Sequence, residues 1–286
     1  ANRARAFDLH AEHINPAFVK MLRTIGFNKG YVRGQGPYLW DKDGNKYLDL
    51  LTGWGVFALG RNHPKIKAIL KELLDFDAPN LVRMDCSVLS GLVAEKLTKI
   101  TGGDLSRVFF NNSGTETVET AIKFARCFTG RQGIIYCDHA FHGLTTGSLS
   151  INGAQFFRER FGELAPGTQS VPFNDLAALE QALSTRQAAA FILEPIQGKS
   201  CEVVADGYLV EARKLCDKHG TLLILDEVQS GLGRSGKWFC YQHWNVEPDI
   251  VCTAKALSGG YVPVGAVITR PKIMDCVFSG MERCVV

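Results

Sequence analysis

The chain has 286 residues, 46% of them hydrophobic and 21% charged, a balance that suits one large globular domain with a smaller companion. A formal charge of +3 is too weak to draw it to nucleic acid or to an anionic membrane surface. No apolar run approaches the roughly 18 residues of a membrane span, and no hydrophobic signal core follows the start Ala1-Asn2-Arg3-Ala4-Arg5, so a cytoplasmic protein is expected.

In chain order, the stretch from Tyr38 to Leu50 reads as a hairpin with Asp43-Gly44 at its turn. Asn62 and Pro64 then open a helix carrying Ile66, Ile69, Leu70 and Leu73. These elements are expected to form a small N-terminal region, residues 1–80, ahead of a large domain over residues 81–286.

Strand and helix signals alternate from about residue 85 onward. Arg107-Val108-Phe109-Phe110 is a short strand, and Asn111-Asn112-Ser113-Gly114-Thr115-Glu116 opens a helix whose apolar face is Val118, Ala121, Ile122 and Ala125. Gly130 can stop that helix in a left-handed conformation. Free N–H groups and the helix dipole make its start a natural phosphate seat. Gly114 allows close approach, and the hydroxyls of Ser113 and Thr115 can add donors; the plain alternative is that they only cap the helix. The next strand, Gly133 to Cys137, empties into Asp138-His139-Ala140-Phe141-His142-Gly143. There Phe141 either fills core or stacks on a planar ring. The two histidines have no further ligands to make a metal site.

A helix from Asp175 to Leu183 leads into the strand Ala189 to Leu193, which ends in Glu194-Pro195-Ile196-Gln197-Gly198. Glu194 serves either as a cap or in a polar network. Asp206 can cap a helix with Tyr208, Ala212 and Leu215 on one stripe, closed by Gly220. Leu222-Leu223-Ile224-Leu225 then delivers Asp226 at a strand end, where a carboxylate needs a cation or hydrogen bonds, a protonated ring nitrogen being one such partner. Glu227 points the other way along the pleat and reads as structural. The last strand, Asp249 to Ala254, delivers Lys255 before Ser258-Gly259-Gly260.

Continuous apolar strands alternating with amphipathic helices indicate an α/β fold, a mostly parallel sheet covered by helices on both faces. Lys255 and Asp226 then share the carboxyl edge, where such sheets place their chemistry. Gly231-Leu232-Gly233-Arg234-Ser235-Gly236 fits the dinucleotide fingerprint but neither follows a strand directly nor opens a tight crossover helix, so a nicotinamide site is rejected. Nine scattered cysteines without a C-x-x-C pair suit a reducing cytosol. Cys240 and His243 make at most half a metal site, and no metal is expected.

Leu225-Asp226-Glu227-Val228-Gln229-Ser230-Gly231-Leu232-Gly233-Arg234-Ser235-Gly236 and Ala254-Lys255-Ala256-Leu257-Ser258-Gly259-Gly260 resemble the signature of class III (ω-type) aminotransferases, pyridoxal-phosphate enzymes of fold type I. Asn112 to Glu116, Phe141-His142-Gly143 and Glu194 to Gly198 match that family in the same order, and the similarity runs from about residue 38 to about residue 270. The resemblance implies that Lys255 forms the internal Schiff base with the cofactor, pyridoxal 5′-phosphate, and carries the proton, while Asp226 pairs with the pyridinium nitrogen. It implies that Gln229 contacts the phenolic oxygen, and that Val228 and Phe141 sandwich the ring beside His142. Ser113, Gly114 and Thr115 would hold the phosphate, and Glu194 would join the polar network near Lys255. The implied activity is ping-pong transfer of an amino group from a terminal (ω) amine, such as a diamine or ornithine-like donor, to a 2-oxo acid or aldehyde, by a homodimer. An aminomutase, a decarboxylase, or an inactive homologue serving as a binding module would keep the same cofactor residues.

Two departures stand out. Where relatives that act on ornithine or γ-aminobutyrate carry a glutamate, this chain has Lys199, and the stretch from Gly207 to Gly265 leans toward the putrescine-type branch. Family members generally exceed 400 residues, so a chain ending at Arg283-Cys284-Val285-Val286 is expected to lack a C-terminal segment.

Overall fold

The computed structural model describes residues 5–79, 82 and 84–284; the start at Ala1 to Ala4 and the end at Val285 and Val286 lie outside the described residues. The chain divides into two compact units, Ala1–Asn80 and Leu81–Val286.

In the first unit, β1 (Tyr31–Gln35), β2 (Tyr38–Asp41) and β3 (Lys46–Leu48) form an antiparallel sheet in that order. The expected hairpin is β2–β3, its turn placing Gly44 at φ +84°, where a glycine costs least. The Asp41 carboxylate fixes the turn by accepting from the N–H groups of Asp43 and Asn45. The helix Pro64–Asp75 follows, with proline in its first turn and His63 as N-cap; the Asn62 side chain donates instead to the Gly34 carbonyl at 2.7 Å.

The second unit is built on seven strands: β4 (Arg107–Asn111), β5 (Gly133–Cys137), β6 (Thr168–Val171), β7 (Ala188–Leu193), β8 (Leu222–Asp226), β9 (Ile250–Thr253) and β10 (Gly265–Thr269). Their order across the sheet is β4-β10-β9-β8-β7-β5-β6. Only β10 runs against its neighbours, so the sheet is mostly parallel, as the sequence predicts. Two of these strands, β6 and β10, are absent from the sequence reading above.

Alternation along the strands divides the core into two layers. Ile135, Phe191, Leu193, Leu223, Leu225 and Val251 face one side, packed with Leu179, Leu183, Leu209 and Ala212 of the helices Leu176–Ser184 and Tyr208–His219. Ile134, Ala190, Ile192, Ile224, Ile250 and Cys252 face the other, against Val118, Ala121, Ile122 and Ala125 of the helix Gly114–Thr129. That helix ends at Gly130 (φ +69°), as expected. Asp175 caps the helix Leu176–Ser184 by accepting from the Ala178 N–H. Asp206 does not cap the next helix. The N-cap of Tyr208–His219 is Gly207 at φ +79°, a left-handed backbone that glycine takes without a side-chain bond. The glycine-rich stretch Gly231 to Gly236 lies in turns, not at a strand-to-helix junction. Among the described residues, no helix is long and apolar enough to cross a membrane.

Candidate functional site

The carboxyl ends of β4, β5, β7, β8 and β9 carry all ten residues singled out from the sequence. By strand alternation Asp226 emerges on the side of Ile224 and Glu227 on the side of Leu225. Asp226 is 4% exposed at the last position of β8. Its Oδ2 accepts from His142 Nδ1 at 2.8 Å, and its Oδ1 accepts from the Val228 N–H at 3.0 Å. A carboxylate so far from water needs such partners. Burial works against charge on the His142 ring, but the hydrogen bond and charge of Asp226, with the charge of Glu194, outweigh it and raise the histidine's pKa. Asp226 therefore favours the charged form of His142. Its other ring nitrogen, Nε2, is buried with no hydrogen-bond partner among the described residues.

Glu194 follows β7 and is also buried. Its Oε2 accepts from the Phe141 N–H and its Oε1 from the Gly198 N–H, both at 2.9 Å, so one carboxylate ties together the loops after β5 and β7. Burial above all, with Asp226, pushes its pKa up, against the His142 charge and those two N–H groups. Gly198 lies against Gln229: a Cβ there would stand 2.8 Å from the glutamine Oε1.

Lys255 stands one residue past β9, after Ala254, in a left-handed conformation (φ +42°) that costs a side-chain-bearing residue about 1–2 kcal/mol. The fold holds it there because β9 is buried throughout and paired on both sides. Burial lowers the pKa of its amine, and the nearby Asp226 and Glu194 only partly restore it. A lysine with more of its amine unprotonated is the form suited to nucleophilic and base chemistry.

Ser113 is the N-cap of the helix Gly114–Thr129. Its hydroxyl accepts from the Glu116 N–H at 3.3 Å and donates to Glu116 Oε2 at 2.9 Å. Thr115 Oγ1 bonds the hydroxyls of Thr145 (2.9 Å) and Ser148 (2.7 Å). Both side chains thus have partners inside the protein, and the helix start presents backbone and dipole. Gly114 is required by packing, since a Cβ would come within 2.8 Å of Val228 Cγ1. That contact joins the helix start to the turn after β8.

Phe141 is partly buried and meets Phe157 edge-on, with ring centroids 5.4 Å apart. Several contributors are absent from the sequence reading: His142 as the partner of Asp226, Phe157 beside Phe141, and Glu119. Glu119 accepts from the Gly147 and Ser148 N–H groups and orders the loop that touches Thr115. Phe157 and Glu119 lie away from the strand ends, so the strand pattern carried no signal for them; His142 lies on the loop after β5, but its pairing with Asp226 joins two distant parts of the chain. Glu227, by contrast, is wholly structural, accepting from Ser230 Oγ, Cys240 N and Tyr241 N. Among the described residues, no group of three or more histidine, cysteine or acidic side chains is placed to hold a metal ion.

The family profile described as aminotransferase class-III matches residues 26–282. An acetylornithine aminotransferase of Methanopyrus kandleri is 45% identical over 253 residues, covering 87% of this chain and 64% of that protein. A putrescine aminotransferase of Pectobacterium atrosepticum is 40% identical, with 94% of this chain and 60% of the relative covered. Among solved structures, the ornithine aminotransferase of Toxoplasma gondii superposes with a TM-score of 0.81 at 33% identity, over 86% of this chain and 60% of its own. The chain therefore spans less than two thirds of the length of each of these relatives. With the whole of its mostly parallel sheet and its strand-end motifs inside the matched segment, the chain belongs to the class III aminotransferases.

Proposed function

We propose that the protein is a pyridoxal-phosphate-dependent transaminase that moves an amino group from a terminal amine, a diamine or an ornithine-like donor, to a 2-oxo acid or aldehyde in a ping-pong cycle. Likeness to proteins named acetylornithine, putrescine and ornithine aminotransferase supports a donor with its amine at a chain end. The observation that carries the reading is the pair at one sheet edge: a desolvated Lys255 amine beside a buried Asp226 carboxylate.

The cofactor is pyridoxal 5′-phosphate, and the residues present fit it. A helix start without a Cβ at Gly114 suits a phosphate. A buried anion whose charge His142 supports suits a protonated ring nitrogen. Phe141 and Val228 supply apolar walls, Gln229 an amide for a ring oxygen, and Lys255 a covalent anchor. Bound there, the cofactor supplies a carbonyl for the donor's amine and an electron sink for the carbanion left when a C–H proton departs. Lys255 Nζ is the base that takes and returns that proton, and burial, by lowering its pKa, favours the unprotonated amine this role needs. Glu194 fixes the Phe141 and Gly198 backbones around it. We further propose that residues 1–80 belong to a small domain, and that the full-length protein is a cytosolic homodimer; nine free thiols support the reducing setting.

The test is addition of the cofactor to the full-length protein. An absorbance band near the visible edge should appear and be lost in Lys255→Ala. The loaded protein should pass an amino group from diamines or ornithine to pyruvate or 2-oxoglutarate. No band in the wild type, or release of carbon dioxide from the donor in place of amino transfer, overturns the reading.

A further inference from the structure

Lys199 occupies an unusual position for a surface lysine. Its own backbone is tethered to the site, because the preceding residue, Gly198, donates to Glu194 and packs against Gln229. Its ammonium is folded over an aromatic pair, with Nζ 4.1 Å from the Phe157 ring centroid and 4.6 Å from that of Phe156. Phe157 in turn stands edge-on to Phe141, the proposed wall of the cofactor ring. The order is therefore cation, aromatic pair, site wall.

The charge at the end of this stack is not cancelled by an acid. Among the described residues, no carboxylate lies within ion-pair distance of Lys199. Glu202, the acid of the same loop, faces His139 at 3.9 Å. A cation over aromatic faces keeps its full charge while its stem is held in place, at a gain of roughly 0.5–1 kcal/mol for an exposed pair. The outcome is a positioned positive charge with no acid paired to it, one aromatic ring removed from Phe141.

We propose that Lys199 determines substrate specificity: its ammonium favours substrates that carry a carboxylate remote from the reacting amine or carbonyl, and disfavours donors with a second ammonium there. The inference rests on the transaminase reading and narrows it, from terminal amines in general to ω-amino acids over diamines. A matched pair of probes isolates the distal charge. 5-Aminopentanoate and 1,5-diaminopentane share a reacting amine on a five-carbon chain and differ only at the far end.

The experiment uses the full-length, cofactor-loaded protein and compares wild type with Lys199→Met, which keeps an unbranched side chain to lie on the rings. The ratio of kcat/KM for 5-aminopentanoate over 1,5-diaminopentane should fall by roughly five- to tenfold, the sum of two exposed charge interactions of opposite sign. The fall should shrink at high salt. A second readout needs no turnover: calorimetric binding of glutarate should weaken severalfold in Lys199→Met, and Phe157→Leu, which releases the lysine, should weaken it in the same direction. Equal loss on both amines with unchanged glutarate binding would mean a packing role only and would overturn the proposal. Failure of the transaminase reading is a separate result, with no amino transfer by the wild type on either donor.

Discussion

His142 Nδ1 stands 2.8 Å from Asp226 Oδ2, with both side chains sealed from solvent. The pair joins a loop residue to a strand end and holds the Asp226 carboxyl group in place at the sheet edge. Removing the histidine strands a buried carboxylate, so His142→Ala should destabilise the cofactor-free protein by about 3–5 kcal/mol in urea unfolding. The pH dependence gives the electrostatic share. Because folding raises the histidine's pKa above its ordinary 6.5, the pair's contribution is whole below that value and is lost as pH rises through the folded one. The variant's deficit should accordingly be larger at pH 6 than above the folded pKa, where the loss of packing and of the hydrogen bond to Asp226 remains. A deficit independent of pH would show that His142 is neutral in the fold.

Gly114 and Val228 offer a test of the helix start as a cofactor seat. A methyl group at 114 would fall 2.8 Å from Val228 Cγ1, closer than carbon atoms tolerate, and a tight 3.2 Å from Cγ2. The β-branched valine has few rotamers with which to yield. Gly114→Ala should therefore cost about 1–3 kcal/mol through overpacking and weaken cofactor binding in a fluorescence titration. Adding Val228→Ala removes the clash, and the double variant should recover most of the stability. It should not recover full cofactor affinity, because the apolar wall is gone as well. Recovery of neither would place the fault elsewhere than in this contact.

The fold was legible where one period governs a whole segment. β7 and β8 are unbroken apolar runs, and the helix Gly114–Thr129 repeats its apolar face every three to four residues. β6 was not, because Thr168-Gln169-Ser170 is polar and mostly exposed on an edge strand. β10 was buried and apolar enough to be read, but it returns antiparallel with only a short 3-10 turn and no α-helix before it, breaking the strand–helix alternation that guided the reading. The site divides the same way. Asp226, Glu194 and Lys255 stand out because a charge at the end of an apolar strand is anomalous in one dimension. His142 is 84 positions from its partner, and only the parallel stacking of β5, β7 and β8 brings the two together. The hydroxyls of Ser113 and Thr115 were ambiguous for a physical reason: cap and ligand donor require the same residue at the same place.

Glu227 should titrate as part of the fold, not of the site. It is fully buried and accepts from Ser230 Oγ (2.7 Å), Cys240 N (3.0 Å) and Tyr241 N (2.8 Å). Burial pushes its pKa from the ordinary 4.5 up to about 7, against the pull of those three donors. The folded protein then holds this proton more tightly than the unfolded chain does. Its contribution is whole below pH 4.5 and is lost as pH rises through about 7. Glu227→Gln cannot titrate, and it turns an amide N–H toward a backbone donor, a fault worth about 1–3 kcal/mol. The variant should therefore be less stable at pH 5. Its deficit should shrink by up to about 3 kcal/mol by pH 8, one pKa unit being worth about 1.4 kcal/mol. Urea unfolding of the cofactor-free protein across that range measures the difference directly. If the deficit instead grows with pH, the three donors outweigh burial, and Glu227 is a stabilised carboxylate anchoring the turn before Cys240.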